Sequence, residues 1–133
     1  MESSAVAKEI ASEIVNRKLY SRFDYILNHM LVFLTIITSS FAGFAQLFDY
    51  KDANIIAAVA ATPAFILLLQ KTFKWEQRGE WHWDYRRRLI AIHREMRDQG
   101  LSSEDASKKL NQLEEQLAGS FPGLNAQASK EEQ

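Results

Sequence analysis

The side chains best suited to chemistry crowd into Phe73–Arg88, FKWEQRGEWHWDYRRR, which holds all three tryptophans of the chain, one of its three histidines and four arginines. His82 stands between Glu80 and Asp84, the composition of an acid–base cluster in which a carboxylate orients an imidazole that moves a proton. On a helix, residues two apart point to different faces. The spacing therefore does not assemble the cluster, and these groups are expected at solvated or interfacial positions. A lipid-headgroup enzyme would have only His82 and its acidic neighbours to work with. His29, His82 and His93 share no metal-ligand spacing, and the chain contains no HExxH, P-loop, GxGxxG or nucleophile elbow. It also has no cysteine, which excludes disulfides, thiolate zinc sites and a thiol nucleophile. The expectation is a non-enzyme with no cofactor and no metal.

The second chemical signal is the run Arg86, Arg87, Arg88. A basic cluster beside a membrane attracts anionic headgroups, and the same charges can contact nucleic acid or a phosphorylated nucleotide. Glu80 and Asp84 dilute the run, and Asp84 can pair with Arg88 at i,i+4. Lipid or intrachain pairing is therefore favoured, with an anionic signalling ligand as the rival and no nucleic-acid partner expected.

The elements that position these residues follow from a severe segregation of charge. The chain has 133 residues, 16 basic against 17 acidic, and a mean hydropathy of only −0.26. Yet residues 26–48, ILNHMLVFLTIITSSFAGFAQLF, and residues 53–70, ANIIAAVAATPAFILLLQ, contain no Asp, Glu, Lys or Arg. As helices they would be roughly 35 and 27 Å long, against a hydrocarbon core of about 30 Å. A soluble helical hairpin would need apolar shells around it that the other segments are too polar to supply. A signal peptide fits poorly, because the first 25 residues carry four acids and the apolar run starts late. Ten basic residues flank the two runs outside, whereas the turn at 49–52 carries only Lys51. By the positive-inside rule both termini lie in the cytoplasm. The fold class expected is an all-α membrane protein: a two-helix transmembrane hairpin in the cell inner membrane, with cytoplasmic N-terminal, post-span and C-terminal helices forming a small bundle. Its parts are an amphipathic helix at 1–25, spans at 26–48 and 53–70, the turn at 49–52, a cytoplasmic helical hairpin at 71–119 and a mobile tail at 120–133.

Neither span has an ionisable residue at its centre, which argues against ion-coupled transport. Small residues recur every fourth position instead: Thr35, Ser39 and Gly43 in the first span, Ala53, Ala57 and Ala61 in the second. Such rows let helix backbones approach closely and drive association in lipid, which favours a homo-oligomer over a hairpin packed only on itself. Thr35, Thr38, Ser39, Ala42 and Gln46 also fall near one face, so Thr38 and Gln46 are candidates for a pore lining, although interhelical contact is the commoner use. Pro63 frees a backbone carbonyl in mid-span and is a candidate kink.

Outside the spans, Ser3 or Ser4 is expected to cap a first helix with Val6, Ile10 and Ile14 on its apolar face, and nothing separates that helix from the first span. Trp81, Tyr85, Leu89, Ile92 and Met96 form a second stripe, which Gly100 ends. Ser102 or Ser103 starts a third helix with Ala106, Leu110, Leu113 and Leu117 as its stripe. Trp75 falls in the headgroup layer. Trp81 begins a packing stripe. Trp83 lies on another face and needs a cover, from another helix or a second subunit, unless the chain bends, with Gly79 as the expected place.

Two spans with a short turn, aromatic and basic flanks such as RKLYSRF, and a long post-span helix followed by REMRDQGLSSEDASKKLNQLEEQLAGSFPGLNA together resemble the SLATT family. These are the two-transmembrane effector domains associated with SMODS nucleotidyltransferases and SLOG sensors in bacterial conflict systems. The resemblance covers roughly residues 15–126 and transfers no site residue. It implies an inner-membrane effector of antiviral defence that forms a pore or disrupts the bilayer when a partner sensor or nucleotidyltransferase signals. The alternative is a membrane-anchored helical adaptor that docks a cytoplasmic partner.

Overall fold

The computed structural model of the chain describes residues 2–48 and 51–122, apart from the side chains of residues 2–4, Ala42 and Gln46. Four helices follow one another: α1 (Glu2–Leu47), α2 (Ala53–Phe73), α3 (Trp75–Asp98) and α4 (Ser103–Ala118). No strand occurs among the described residues.

No glycine or proline interrupts residues 2–42, and α1 accordingly runs unbroken for 46 residues, about 69 Å. The boundary expected near residue 25 is a change of composition, not of backbone. The helix already includes Glu2, and the side chains of Ser3 and Ser4, the caps expected there, lie outside those described. Buried and half-buried positions recur along α1 at spacings of three and four: Val6, Ile10, Ile14, Arg17, Ser21, Asp24, Asn28, Leu31, Thr35 and Thr38. One face of one helix therefore makes two unions. Its lower part lies against α3 and its upper part against α2.

Asp52 caps α2, its Oδ1 accepting from the Asn54 and Ile55 amides at 3.1 and 3.2 Å. The helix remains continuous through Pro63. It ends at Lys74, a single residue in the left-handed region (φ 50°, ψ 41°) that closes α2 by donating its amide to Gln70 O at 2.9 Å and opens α3. A non-glycine residue held there costs about 1–2 kcal/mol. The bend expected at Gly79 is thus at Lys74. Gly79 is buried inside α3, where a Cβ would meet Ser21 O at 3.6 Å and Asp24 Cβ at 3.7 Å. These are ordinary contacts, so a small residue, glycine or alanine, lets the α3 backbone lie close against α1 here.

Below the hairpin the three stripes share one core. Ile10 from α1, Tyr85, Leu89 and Ile92 from α3, and Ala106, Leu110, Leu113 and Leu117 from α4 are all buried, with Val6, Ile14, Trp81, Met96 and Leu101 packed around them. Gly100 (φ 68°) turns the chain, and Ser102 Oγ caps α4 by accepting from the Asp105 amide at 3.1 Å. The hairpin itself is different. Its apolar side chains face outward, and only 0% and 6% of the two apolar windows are buried within the chain. By length and composition, two helices are able to cross a membrane.

Candidate functional site

The level at which the two apolar runs begin is marked by polar groups, and these form the site. Uppermost is a bond between the hairpin helices, where Gln70 Nε2 donates to Asn28 Oδ1 at 3.2 Å. One to three turns lower on α1, α1 and α3 meet through Asp24, His82, Arg78 and Arg17. Asp24 and His82 are 2% and 5% exposed. Asp24 Oδ2 lies 3.7 Å from Arg78 Nε and 3.9 Å from His82 Nε2. On the other side of the ring, Arg17 Nη1 donates to His82 Nδ1 at 3.4 Å, which places the imidazole proton on Nε2, facing Asp24. Ser21 Oγ donates to Gly79 O at 3.1 Å and ties the two backbones together.

Aromatic groups close this joint. Tyr20 stacks on His82 at 5.4 Å, and Arg17 lies over the rings of Tyr85 and Trp81 at 4.4 and 5.3 Å. Trp81 Nε1 donates to Leu117 O at 3.2 Å, and Phe121 meets Trp81 edge-on at 4.8 Å. Phe121 belongs to the segment expected as a mobile tail. Its first residues instead fold back on α3, while residues 123–133 lie outside the described residues.

The electrostatics follow from burial. Loss of water, reinforced by Arg17 and Arg78, lowers the His82 pKa to about 4, so the ring is neutral near pH 7. Burial raises that of Asp24, opposed by Arg78. Burial and the nearby Glu114 carboxylate push Tyr85 up to about 12. The arrangement is a clamp between helices, built from one carboxylate, two guanidiniums and a neutral imidazole. His82 is therefore buried between two helices rather than at the solvated or interfacial position expected, and its acidic neighbour is Asp24 from α1 rather than Glu80 or Asp84. Ser21 and Asp24 on the flank of the first span and Asn28 just inside it carry no motif that marks them as site residues. Their spacing on the face that continues from Ile10 was the available signal. Among the described residues no group of three or more His, Asp or Glu side chains is placed to hold a metal.

The arginine run is dispersed. Arg87 and Arg88 both pair with Asp84, at 3.1 and 3.0 Å, and Arg86 lies 5.1 Å over Trp83. In the hairpin, Thr35 and Thr38 are half-buried, and their hydroxyls bond back to Leu31 O and Leu34 O at 2.9 and 2.8 Å. Ser39, Gly43, Ala53, Ala57 and Ala61 are exposed, and nothing lies within 4 Å of a Cβ placed on Gly43. The small-residue rows are thus not consumed by packing the hairpin on itself. The side chain of Gln46 lies outside those described. Trp75 is half-buried and stacks on Phe73 at 5.1 Å. Trp83 remains 48% exposed.

No family model, curated protein or solved structure matches the chain.

Proposed function

We propose that the chain is an inner-membrane effector of a bacterial antiviral defence system. In this reading both termini are cytoplasmic, and α1, α3 and α4 form a cytoplasmic bundle beneath a transmembrane hairpin. Several copies associate through the exposed small-residue rows. A partner sensor or nucleotidyltransferase shifts the oligomer to a pore or membrane-disrupting state, through contacts that differ between the two states. The observation that carries this reading over a passive anchor is the continuity of α1. A single helix of 46 residues carries both the bundle contacts and an apolar run able to cross a membrane, so in this reading a displacement of the bundle is delivered rigidly to the membrane. The exposed rows of Ser39 and Gly43 and of Ala53, Ala57 and Ala61 support association, and the resemblance to SLATT effectors supports the defence role. The test is dye entry and loss of membrane potential on induced expression with the neighbouring genes and a phage trigger. Intact membranes under every triggering condition exclude the effector. Full activity after replacing the hairpin by an unrelated one assigns the chain to the adaptor class.

A further inference from the structure

Two adjoining cavities open beside the bend at Lys74, both on the same side of α1. The first, about 410 Å³, lies between α1 and α3 and is lined by Tyr25, His29 and Trp83 together with Arg22, Glu76 and Glu80. The second, about 350 Å³, lies nearer the hairpin and is lined by Val32, Gln70, Lys71, Lys74 and Trp75. Asn28 and Glu76 line both, so the two form one groove. Each volume is within the roughly 300–1,000 Å³ usual for small-ligand sites.

The charges in this groove are ordered by depth. Lys71 and Lys74 stand at the end of the apolar run, and Glu76 and Glu80 follow on α3 as it descends along α1. The upper cavity carries Lys71, Lys74 and Glu76, a formal sum of +1, and the lower carries Arg22, Glu76 and Glu80, a sum of −1. Among the described residues neither Glu76, Glu80 nor Arg22 has an ion-pair partner. Tyr25 and Trp83 wall the cavity beside the carboxylates, and the Trp83 indole already carries one cation, Arg86 at 5.1 Å, so the carboxylates are the groups that attract a further one. A phosphate above and an ammonium below is the order in which an amine-bearing phospholipid presents its headgroup. Along α1 the groove runs from Ser21 and Arg22, five and four residues before the apolar run, to Asn28 and Val32 inside it, so it straddles the headgroup layer, which is about 5–8 Å deep.

We propose that the groove binds the headgroup of one phosphoethanolamine-type lipid, with Lys71 and Lys74 on its phosphate, Glu76 and Glu80 on its ammonium and Trp83 as the wall beside them. The site rests on the membrane reading above and extends it. It also supplies a cover for Trp83 other than a second subunit.

The test is native mass spectrometry of the full chain released from bilayers of equimolar phosphatidylethanolamine and phosphatidylglycerol. The expected result is at least fivefold enrichment of the ethanolamine lipid among retained lipids. It should fall to near parity in the Glu76→Gln/Glu80→Gln variant and at least threefold in Trp83→Ala, with helix content unchanged by circular dichroism. Equal retention of the two lipids by the native chain overturns the proposal, as does enrichment that survives the double variant. Soluble phosphoethanolamine displacing the retained lipid at micromolar concentration assigns the site to a free phosphoamine and overturns the lipid assignment. Flotation with vesicles separates the two readings. A chain that does not float fails both, whereas one that floats with unselective retention fails only this inference.

Discussion

Asp24 on α1 and His82 on α3 face each other at 3.9 Å with both side chains more than nine-tenths buried, at the level where α1 passes into its uncharged run. The imidazole is neutral near pH 7, and the charge that faces the carboxylate is the Arg78 guanidinium at 3.7 Å. Asp24 Oδ2, Arg17 Nε and Arg78 Nε are buried without a hydrogen-bond partner among the described residues. Buried charges matched in this way contribute little net stability, but removing one partner leaves the others uncompensated. The joint between hairpin and core is therefore sensitive to any change of charge.

Stability is expected to fall with acid through His82. Its folded pKa, about 4, is below the ordinary 6.5, so the unfolded chain binds the extra proton between these values. The contribution is complete above about pH 6.5 and is lost as pH falls towards 4. The charged groups around the ring are Arg17, Arg78, Asp24 and Glu13. Asp24, with its raised pKa, acts in the opposite direction, losing stability as pH rises through its own folded value. Melting of the detergent-solubilised protein from pH 4 to 7 should therefore show about 1–3 kcal/mol of dependence that is absent from His82→Gln. An unchanged slope in that variant would exclude the assignment.

Replacing Asp24 tests the joint directly. Asp24→Ala strands Arg78, which is about one-third exposed and can still reach water. The expected loss is about 1–3 kcal/mol near pH 7, less than for a fully buried pair. Asp24→Asn should cost less, since burial disfavours the ionised form there. Thermal unfolding of both variants checks the order, and a larger loss for Asn than for Ala contradicts it.

Gly79 discriminates a close-approach glycine from a hinge. A methyl group there would meet Ser21 O at 3.6 Å, an ordinary contact, and alanine favours helix by about 1 kcal/mol. Gly79→Ala should leave stability unchanged or slightly raised. Gly79→Leu has no room and should part α3 from α1, lowering the melting temperature and weakening the Ser21–Gly79 bond. A hinge would be impaired by alanine already, so the Ala variant separates the two roles.

Lys74 should respond in the reverse sense. Lys74→Gly removes the left-handed strain of about 1–2 kcal/mol at a cost of about 0.4–1 kcal/mol in unfolded-chain entropy, a net gain near 0.5–1 kcal/mol. Lys74→Pro cannot adopt φ 50° and should abolish the bend. Stability curves for the two variants, recorded in one detergent, decide this.

What the sequence determined alone was everything written in local periodicity. The two uncharged runs, the stripes of α3 and α4, the turn at Gly100 and a serine cap at Ser102 or Ser103 follow from spacing and from residue types, and the structure selects Ser102. The tertiary structure decided where faces meet. Gly79 reads as a flexible point in one dimension, yet it is buried because α1 lies against it. Lys74 has no local preference for the left-handed region, yet it takes the bend because the two unions of α1 must be joined there. Phe121 lies beyond the last helix and docks only because Trp81 and His82 present their rings to it. His82 was legible as a chemical group but not as a buried one, since the carboxylate that faces it comes from another helix. Local patterns encode which face of a helix is apolar. Which polar residues that face carries into contact depends on the pairing of distant segments, and no window of sequence contains it.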